Sequence, residues 1–388
     1  MDTLSNDSFS EVEEMHTLIL EDSLILQIIS KNEVVISCLT EIQIHKMDKN
    51  KIKKIGQIKT NEINGKKNDK KYIESEIIKS ILIKDNKLLS STINSNLLIY
   101  EKTKNNKYKL SKTISFKDQQ ILYRLLDLKD SNLICGFASD CLKIIDIETS
   151  STISIFKFTP NYEHNKNRKN EREDFTKITK DTFDPRSKPF LIKNTKYKNY
   201  LICFKQLSFF NIIDYKTMKI IKKIEFENTL FQLYKPENKY QFFYVILINK
   251  DKSNLEIRKY SSNLSLVQKK EIPFEYSVPF YSEDKYETFN IDEMNQCILK
   301  CLVKDENNFS FIYHGEFGQT GQCDMYFLFK YKNGKKNKIS IIAETCKDND
   351  DGEGSYIIDF EEIDKNKLVV AVGDDLKGIK EVKSMNIK

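Results

Sequence analysis

A glycine-containing segment near the C-terminus has the spacing of a phosphate-binding loop. It follows the apolar run Leu368 to Val372, and its glycines are Gly373 and Gly378. In the G-x-x-x-x-G-K-[ST] loop, backbone N–H groups and a lysine hold the phosphates, and a hydroxyl binds magnesium. Here Ile379 stands at the lysine position, and two aspartates lie inside the loop, where they would repel an anion. The segment therefore predicts a turn between the last two strands.

Two other segments have part of a ligand-binding pattern and lack the rest. Asp348 to Gly354 is acidic, but an EF-hand calcium loop needs glycine at its sixth position, and Gly352 is fifth. Glycines recur at every third residue from Gly315 to Gly321 without the strand–turn–helix pattern of a nucleotide site. We predict an acidic surface loop for the first segment and a long turn between two strands for the second.

The histidines and cysteines lack the spacing of a metal site or a nucleophile. The chain has 4 His and 8 Cys, with no Cys-x-x-Cys pair and no Gly-x-Ser-x-Gly elbow. Cys297 and Cys301 have no second ligand pair nearby. We predict no catalytic residue, no metal ligand and no cofactor, and buried, reduced thiols where cysteines lie in apolar runs. The histidines are His16, His45, His164 and His314, and the cysteines in apolar runs are Cys38, Cys135 and Cys203.

A strand-like phrase recurs along the chain and indicates which elements must position any site. Its copies are Leu97 to Thr103, Leu142 to Thr149 and Phe210 to Thr217. A spacing of about 40 to 70 residues is typical of repeat architectures. Shorter apolar runs separated by turn residues precede the phrase, as in the three predicted strands between Leu24 and Met47. The pattern predicts an antiparallel meander.

The repeats predict one closed ring rather than several domains. A four-stranded sheet with two apolar faces cannot hide either face alone, whereas sheets packed in a ring bury both and protect their edges. We predict seven units and closure between residues near the N-terminus and the last unit, Tyr356 to Met385. The predicted outermost strands centre near Ile44, Ile99, Ile144, Ile212, Ile257, Leu328 and Val382.

Two polar stretches interrupt the rhythm. Residues Pro160 to Pro189 are too polar to pack and predict a mobile insertion. Lys46 to Lys71 is rich in lysine, and its Asn64-Gly65 suits a hairpin turn. The chain thus divides into a flexible acidic N-terminus, residues 1–15, and a repeat domain, residues 16–388, with inserted loops at about 46–71 and 160–189.

Composition bounds the setting of the protein. With 63 basic and 57 acidic residues, the net charge of +6 is a small excess. The longest apolar stretches, such as Phe242 to Ile248, are far shorter than the ~20 residues of a membrane helix, so no membrane insertion is expected. The polar, acidic start of the chain does not have the pattern of a signal or transit peptide. We expect a cytoplasmic protein, with the nucleus as the alternative.

The repeated phrases resemble WD-repeat proteins, in which the corresponding strand ends in an aromatic–acid pair soon followed by threonine. The chain departs from that family by having no Trp and no Gly-His dipeptide, so the usual network of His, Asp, Ser and Trp must be absent or rebuilt. His45 stands where the family often has Trp, and we expect it to be packed and hydrogen-bonded. The matching residues are Asp146 and Thr149, Asp214 and Thr217, Tyr100, Glu101 and Thr103, and the turn pair Ser139-Asp140.

The resemblance implies an all-β propeller of four-stranded blades that acts as a non-catalytic protein–protein interaction scaffold. Its rim and inserted loops would be presented to partner proteins within a larger complex, although the sequence singles out no partner-binding residue. Two alternatives stay open. One is an RNA- or ribosome-associated structural protein that uses its Lys-rich loops, and the other is a propeller hydrolase with its chemistry at the central channel.

Overall fold

The structure is a computed structural model that describes most of the chain between residues 13 and 386. The gaps are residues 31–32, 39–40, 49–50, 60–77, 105–106, 131, 159–187, 197–198, 207–208, 227–228, 236–240, 250–253, 274–275, 280–285, 290–297, 306, 318–322, 333–334, 347–355, 365–366 and 375–377. Throughout the described residues every regular element is a β-strand. No helix able to cross a membrane was found in this part of the chain.

The described strands form seven four-stranded antiparallel units. The first contains β1 (Glu13–Ser30), β2 (Glu33–Cys38), β3 (Glu41–Asp48) and β4 (Lys51–Lys59). The second contains β5 (Ile78–Lys84), β6 (Lys87–Thr92), β7 (Asn96–Lys102) and β8 (Tyr108–Ser115), and the third β9 (Arg124–Asp127), β10 (Leu133–Phe137), β11 (Cys141–Asp146) and β12 (Ser151–Lys157). The fourth contains β13 (Phe190–Asn194), β14 (Asn199–Lys205), β15 (Phe209–Asp214) and β16 (Lys219–Glu225).

The second half of the chain continues the plan with one addition. The fifth unit contains β17 (Thr229–Tyr234), β18 (Phe242–Asn249), β19 (Asn254–Ser261) and β20 (Leu266–Pro273), followed by the hairpin of β21 (Tyr276–Pro279) and β22 (Tyr286–Phe289). The sixth contains β23 (Ile298–Asp305), β24 (Asn308–Phe317), β25 (Cys323–Lys332) and β26 (Lys335–Cys346). The seventh contains β27 (Tyr356–Asp364), β28 (Lys367–Asp374) and β29 (Gly378–Asn386), completed by part of β1. The hairpin β21–β22 was not predicted.

Strand β1 closes the ring. Its first part, Glu13 to Ile19, pairs with β29 of the seventh unit. After a register shift its second part, Ser23 to Ser30, pairs with β2 of the first unit. Strand β1 also contacts β5 and β27, the innermost strands on either side of it. The predictions of a seven-unit β-ring and of closure through the N-terminus are therefore confirmed.

The position predicted for the outermost strands is wrong by one strand. All seven predicted centres lie in the third strand of their unit, and a fourth strand follows each of them. Strand β11 is buried on both faces, whereas β12, outside it, has mostly exposed side chains. Periodic apolar residues therefore identified the third strand, and the more polar fourth strand did not stand out. Strand β4 accounts for the described part of the stretch 46–71 beyond β3.

Neighbouring units pack face to face. Ile134 and Ile145 join a buried cluster with the second unit, whereas Cys135 and Ile144, next to them on the same strands, join a cluster with the fourth. Clusters of the same kind join the first unit to the second and the fourth to the fifth. Because successive side chains of a strand point to opposite faces, each central sheet contributes to two interfaces.

A buried ammonium group links the second and third units near the inner strands. Lys84, at the end of β5, lies 2.5 Å from Asp127 Oδ1 and donates to the carbonyls of Asp130 and Leu133 at 2.6 and 3.1 Å. These three acceptors match the three N–H donors of an ammonium group. Burial alone would raise the pKa of Asp127, but hydrogen bonds from Lys84 and Lys129 outweigh it and hold the pKa below 3.8.

Removal of the N-terminal half of β1 should open the ring. Deletion of residues 1–20 removes the pairing with β29 and exposes edges on both sides of the gap, so we expect the free energy of unfolding to fall by about 4 kcal/mol or more. Thermal and urea unfolding followed by far-UV circular dichroism would measure it. Deletion of residues 1–12, which keeps every described β1–β29 pair, is the control. Equal stability of the two deletions would contradict the closure.

Replacement of Lys84 should destabilise the contact between the second and third units. Lys84→Met leaves a partly buried carboxylate and two carbonyls without their donor, and we expect a loss of ~3–5 kcal/mol in urea unfolding. Lys87→Met is the matched control, because Lys87 is half-exposed and 3.6 Å from Glu101, and should cost less than ~1 kcal/mol. Similar losses in both variants would exclude the proposed role.

Stability should also fall at acidic pH through Asp127. Because its pKa is lower in the folded state, its contribution is present above the unfolded value of about 3.8 and is lost as pH falls through the folded pKa. Urea midpoints measured from pH 6 to pH 2 should therefore decrease in this range. The decrease should be shallower in Lys84→Met, and an unchanged slope would argue against the ion pair.

Candidate functional site

The acid and threonine of the repeated phrase close the turn between the third and fourth strands. Asp146 Oδ1 accepts hydrogen bonds from the backbone N–H groups of Glu148 and Thr149 at 2.8 and 3.2 Å. Asp214 accepts from the N–H of Lys216 at 3.0 Å and from the Thr217 hydroxyl at 3.1 Å. The phrase is thus a turn motif in both units, and its conserved chemistry is structural.

The second unit closes the same turn differently. Both the backbone N–H and the hydroxyl of Thr103 donate to the carbonyl of Lys107, at 2.7 and 2.9 Å. Glu101 is exposed, whereas the neighbouring Tyr100 is fully buried. The aromatic residue of this pair is therefore part of the core.

A polar network without tryptophan lies at the opposite end of the third unit. Gln120 Nε2 donates to Asp140 Oδ1, and the Cys141 thiol donates to Gln120 Oε1, both at 2.8 Å. Lys143, buried in β11, lies 2.6 and 2.7 Å from the two carboxylate oxygens of Asp118. The predicted turn at Ser139-Asp140 is present between β10 and β11, but the Asp140 carboxylate bonds to a glutamine from the preceding segment.

A phenylalanine directly after the fourth strand recurs and contacts a cation of the next unit. Phe116 follows β8, and the Lys143 ammonium lies 4.8 Å from its ring centroid. Phe226 follows β16, and the Arg258 guanidinium lies 5.2 Å from its ring. Cation–π contacts of this kind contribute ~0.5–2 kcal/mol each. The sequence reasoning missed this signal, although a phenylalanine also stands at the equivalent position 158.

The described histidine and thiols serve the core. His45 is 1% exposed and hydrogen-bonded to Gln43 Oε1 at 2.8 Å, as predicted for the position of the missing Trp. Cys135, Cys141 and Cys203 are buried and free, which confirms the prediction for the first and last of them. Burial raises the pKa of the Cys141 thiol to about 12, and it also raises the pKa of Cys135 and Cys203. Such thiols are poor nucleophiles at neutral pH.

The other sequence motifs fall on connections or outside the described residues. Gly373 ends the region of β28 that pairs with β29, and Gly378 begins β29, so the turn prediction is confirmed. Gly315 lies within β24, and residues 318–322, between β24 and β25, are not described. The acidic segment 348–354, His164 and Cys297 also lie outside the described residues. Within the part that is described, no group of three or more His, Cys, Asp or Glu could hold a metal ion.

Exposed aliphatic residues are concentrated on the fourth strands, at the perimeter of the ring. Ile153 and Ile155 of β12 are 58% and 48% exposed and point to the same face of their strand. The first six residues of β12, Ser151 to Phe156, carry no charge. Lysines normally protect an edge strand from pairing with other chains. Exposed aliphatic residues on other fourth strands are Ile55, Ile220, Leu266 and Val267.

A cleft of about 380 Å³ lies between the third and fourth units. The turns that follow first and third strands lie at one end of the ring, because the strands alternate in direction. All lining residues belong to this end: they follow β9, end β13, begin β14 or follow β15. They are Lys129, Asp130, Lys193, Asn199, Tyr200, Tyr215 and Lys216.

The cleft combines an aromatic floor with a basic margin. Tyr215 is 6% exposed and belongs to the buried cluster between the two units, and the partly buried Tyr200 packs against that cluster. Burial raises the pKa of Tyr215, and the negative charges of Asp130 and Asp214 act in the same direction. Three lysines and one aspartate line the cleft, so the net charge of its lining is positive.

The lysines of the cleft differ in their surroundings. Lys129 Nζ lies 3.0 Å from Asp127 Oδ2 and is therefore neutralised in part. The exposed Lys193 and Lys216 form no side-chain ion pair with any other residue that the structure describes. Sequence reasoning did not single out these two residues, because they come from different strands and lie 23 positions apart in the printed sequence.

Comparisons with known proteins agree on the fold alone. No protein-family model matches the chain, and no characterised protein matches its sequence. Among solved structures, the chain is similar to the β-propeller domain of Cps50 (Swd1) from Myceliophteria thermophila, with 11% identity and a TM-score of 0.53. The similarity covers 97% of this chain and 100% of that domain. With its repeated four-stranded sheets, the chain has the fold of a WD-repeat β-propeller.

Proposed function

We propose that this protein is a non-catalytic scaffold that holds partner proteins in a larger complex. The outer strands of its ring and its inserted segments are the surfaces that meet the partners. We place it in the cytosol, with the nucleus as the alternative, which imaging of a fluorescent fusion would decide. The fold supports a scaffold because stacked sheets keep surface residues of distant sequence segments at fixed positions.

The exposed aliphatic residues of the perimeter carry this proposal. Burial of one such side chain contributes ~1.5–3 kcal/mol, so a partner that covers several of them gains binding free energy. Ile153 and Ile155 lie side by side on an edge strand without charge in its first six residues. An edge of this kind can also pair with a strand of another protein through free backbone groups.

The polar chemistry of the described core agrees with a structural role. The buried Lys84 and Lys143 are engaged by acidic partners, and the buried thiols have raised pKa values. These groups stabilise contacts within and between units. The lysine-rich strand β4 does not by itself favour RNA, because a charged strand at an edge is ordinary protection against pairing.

Ile153→Lys should remove partners without unfolding the ring. A tagged full-length protein, purified from its own cells and analysed by quantitative mass spectrometry, should recover its direct partners at least fivefold less well after this change. A lysine on a perimeter contact opposes apolar burial, whereas the stability of an exposed site should change by less than ~0.5 kcal/mol. Replacement of residues 160–187 by a Gly-Ser linker, which keeps the buried Pro189, tests the inserted segment in the same way.

Thr152→Lys is the matched control, because it adds the same charge at an exposed neighbouring position on the other face of β12. Its partner set should equal that of the wild type. The same partners in all three variants would contradict the scaffold surfaces proposed here. Loss of the recovered proteins after ribonuclease treatment, together with binding that weakens steeply with salt, would favour the RNA-associated alternative.

A further inference from the structure

We propose that the cleft between the third and fourth units binds an acidic peptide segment of a partner protein, with Lys193 and Lys216 as its carboxylate ligands. This inference rests on the proposed scaffold function and identifies the chemistry of one partner contact. The cleft volume of about 380 Å³ is at the small end of the range of ~300–1,000 Å³ for ligand pockets. It suits a short stretch of extended peptide.

Charge complementarity selects the occupant. Lys193 and Lys216 are exposed, border the same cleft and lack an ion pair with the described residues. Lys129 contributes less, since Asp127 already lies 3.0 Å from it. A carboxylate between Lys193 and Lys216 would therefore meet two cations whose charge is not already compensated. Potentials of opposite sign on the two surfaces favour association and fix the register of the partner.

The walls of the cleft define where the carboxylate lies. Asp130 repels an anion on the side of the third unit, and the second acid, Asp214, already accepts hydrogen bonds from Asn199 at 3.1 Å and from the Lys216 N–H at 3.0 Å. The acidic side chain is therefore directed toward the fourth unit. Tyr200 and Tyr215 provide an apolar floor for the adjacent part of the peptide.

The same geometry disfavours nucleic acid. Proteins that bind single strands stack bases on accessible aromatic faces, whereas Tyr215 is only 6% exposed and packed in the core. The cleft lining also has no arginine, the residue whose planar fork recognises phosphate in two places at once. Two lysines act as separate point charges, which suits a carboxylate.

Fluorescence anisotropy with a fluorescein-labelled hexaglutamate peptide and the purified full-length chain tests the site. We expect saturable binding in low salt that weakens about tenfold in Lys193→Glu/Lys216→Glu and weakens further in 0.5 M NaCl for the wild type. Lys117→Glu/Lys157→Glu is the control, with the same charge change on exposed lysines at the opposite end of the ring. This control should bind within twofold of the wild type.

Each outcome of the titration decides the inference. Equal weakening in both double variants would mean that the peptide responds to net charge alone, and absence of hexaglutamate binding would also overturn the site. Tighter binding of a phosphoserine peptide, of inorganic phosphate as a competitor or of a hexauridine strand would assign the cleft to another ligand. The scaffold proposal is tested separately, because Ile153 lies outside the cleft and partner recovery through it does not depend on Lys193 or Lys216.

Discussion

The pairing of β1 with two different units is the interaction on which the rest of the structure depends. Each central sheet is apolar on both faces and is stable only between two neighbours, so a row of sheets is complete only when its ends meet. Strand β1 joins the ends by backbone hydrogen bonds to β29 and to β2. Closure thus satisfies edge N–H and C=O groups and lets each described interface bury apolar side chains from two units.

Contacts between units also replace the polar network that tryptophan and histidine provide in typical WD repeats. Lys143 is held by Asp118 and by the ring of Phe116 from the preceding unit, and Lys84 is held by acceptors of the following one. These charges are buried where their donors are satisfied, which offsets much of the cost of removing them from water. The same contacts set the relative positions of neighbouring sheets, and hence the shape of the cleft between two of them.

The surfaces available to partners are those that closure does not use. The third strand of the third unit is buried on both faces, whereas the fourth strand outside it exposes Ile153 and Ile155. The cleft lies at the end of the ring where turns from two units meet, and Asp146 and Asp214 hold those turns in place. The repeated motif therefore positions a surface without contributing the residues that we propose contact a ligand.

Local pattern alone determined the strands, because alternation of apolar residues and turn residues such as Lys129 to Asn132 depends on neighbours in sequence. It therefore predicted the repeat, the closure and the burial of His45 and Cys135. Only the tertiary structure revealed that Ile144 lies in a third strand, because the exposed fourth strand has no strong apolar period. Only the tertiary structure brought Lys193 and Lys216 to one cleft, since residues on separate strands meet through sheet packing, which has no fixed spacing along the chain.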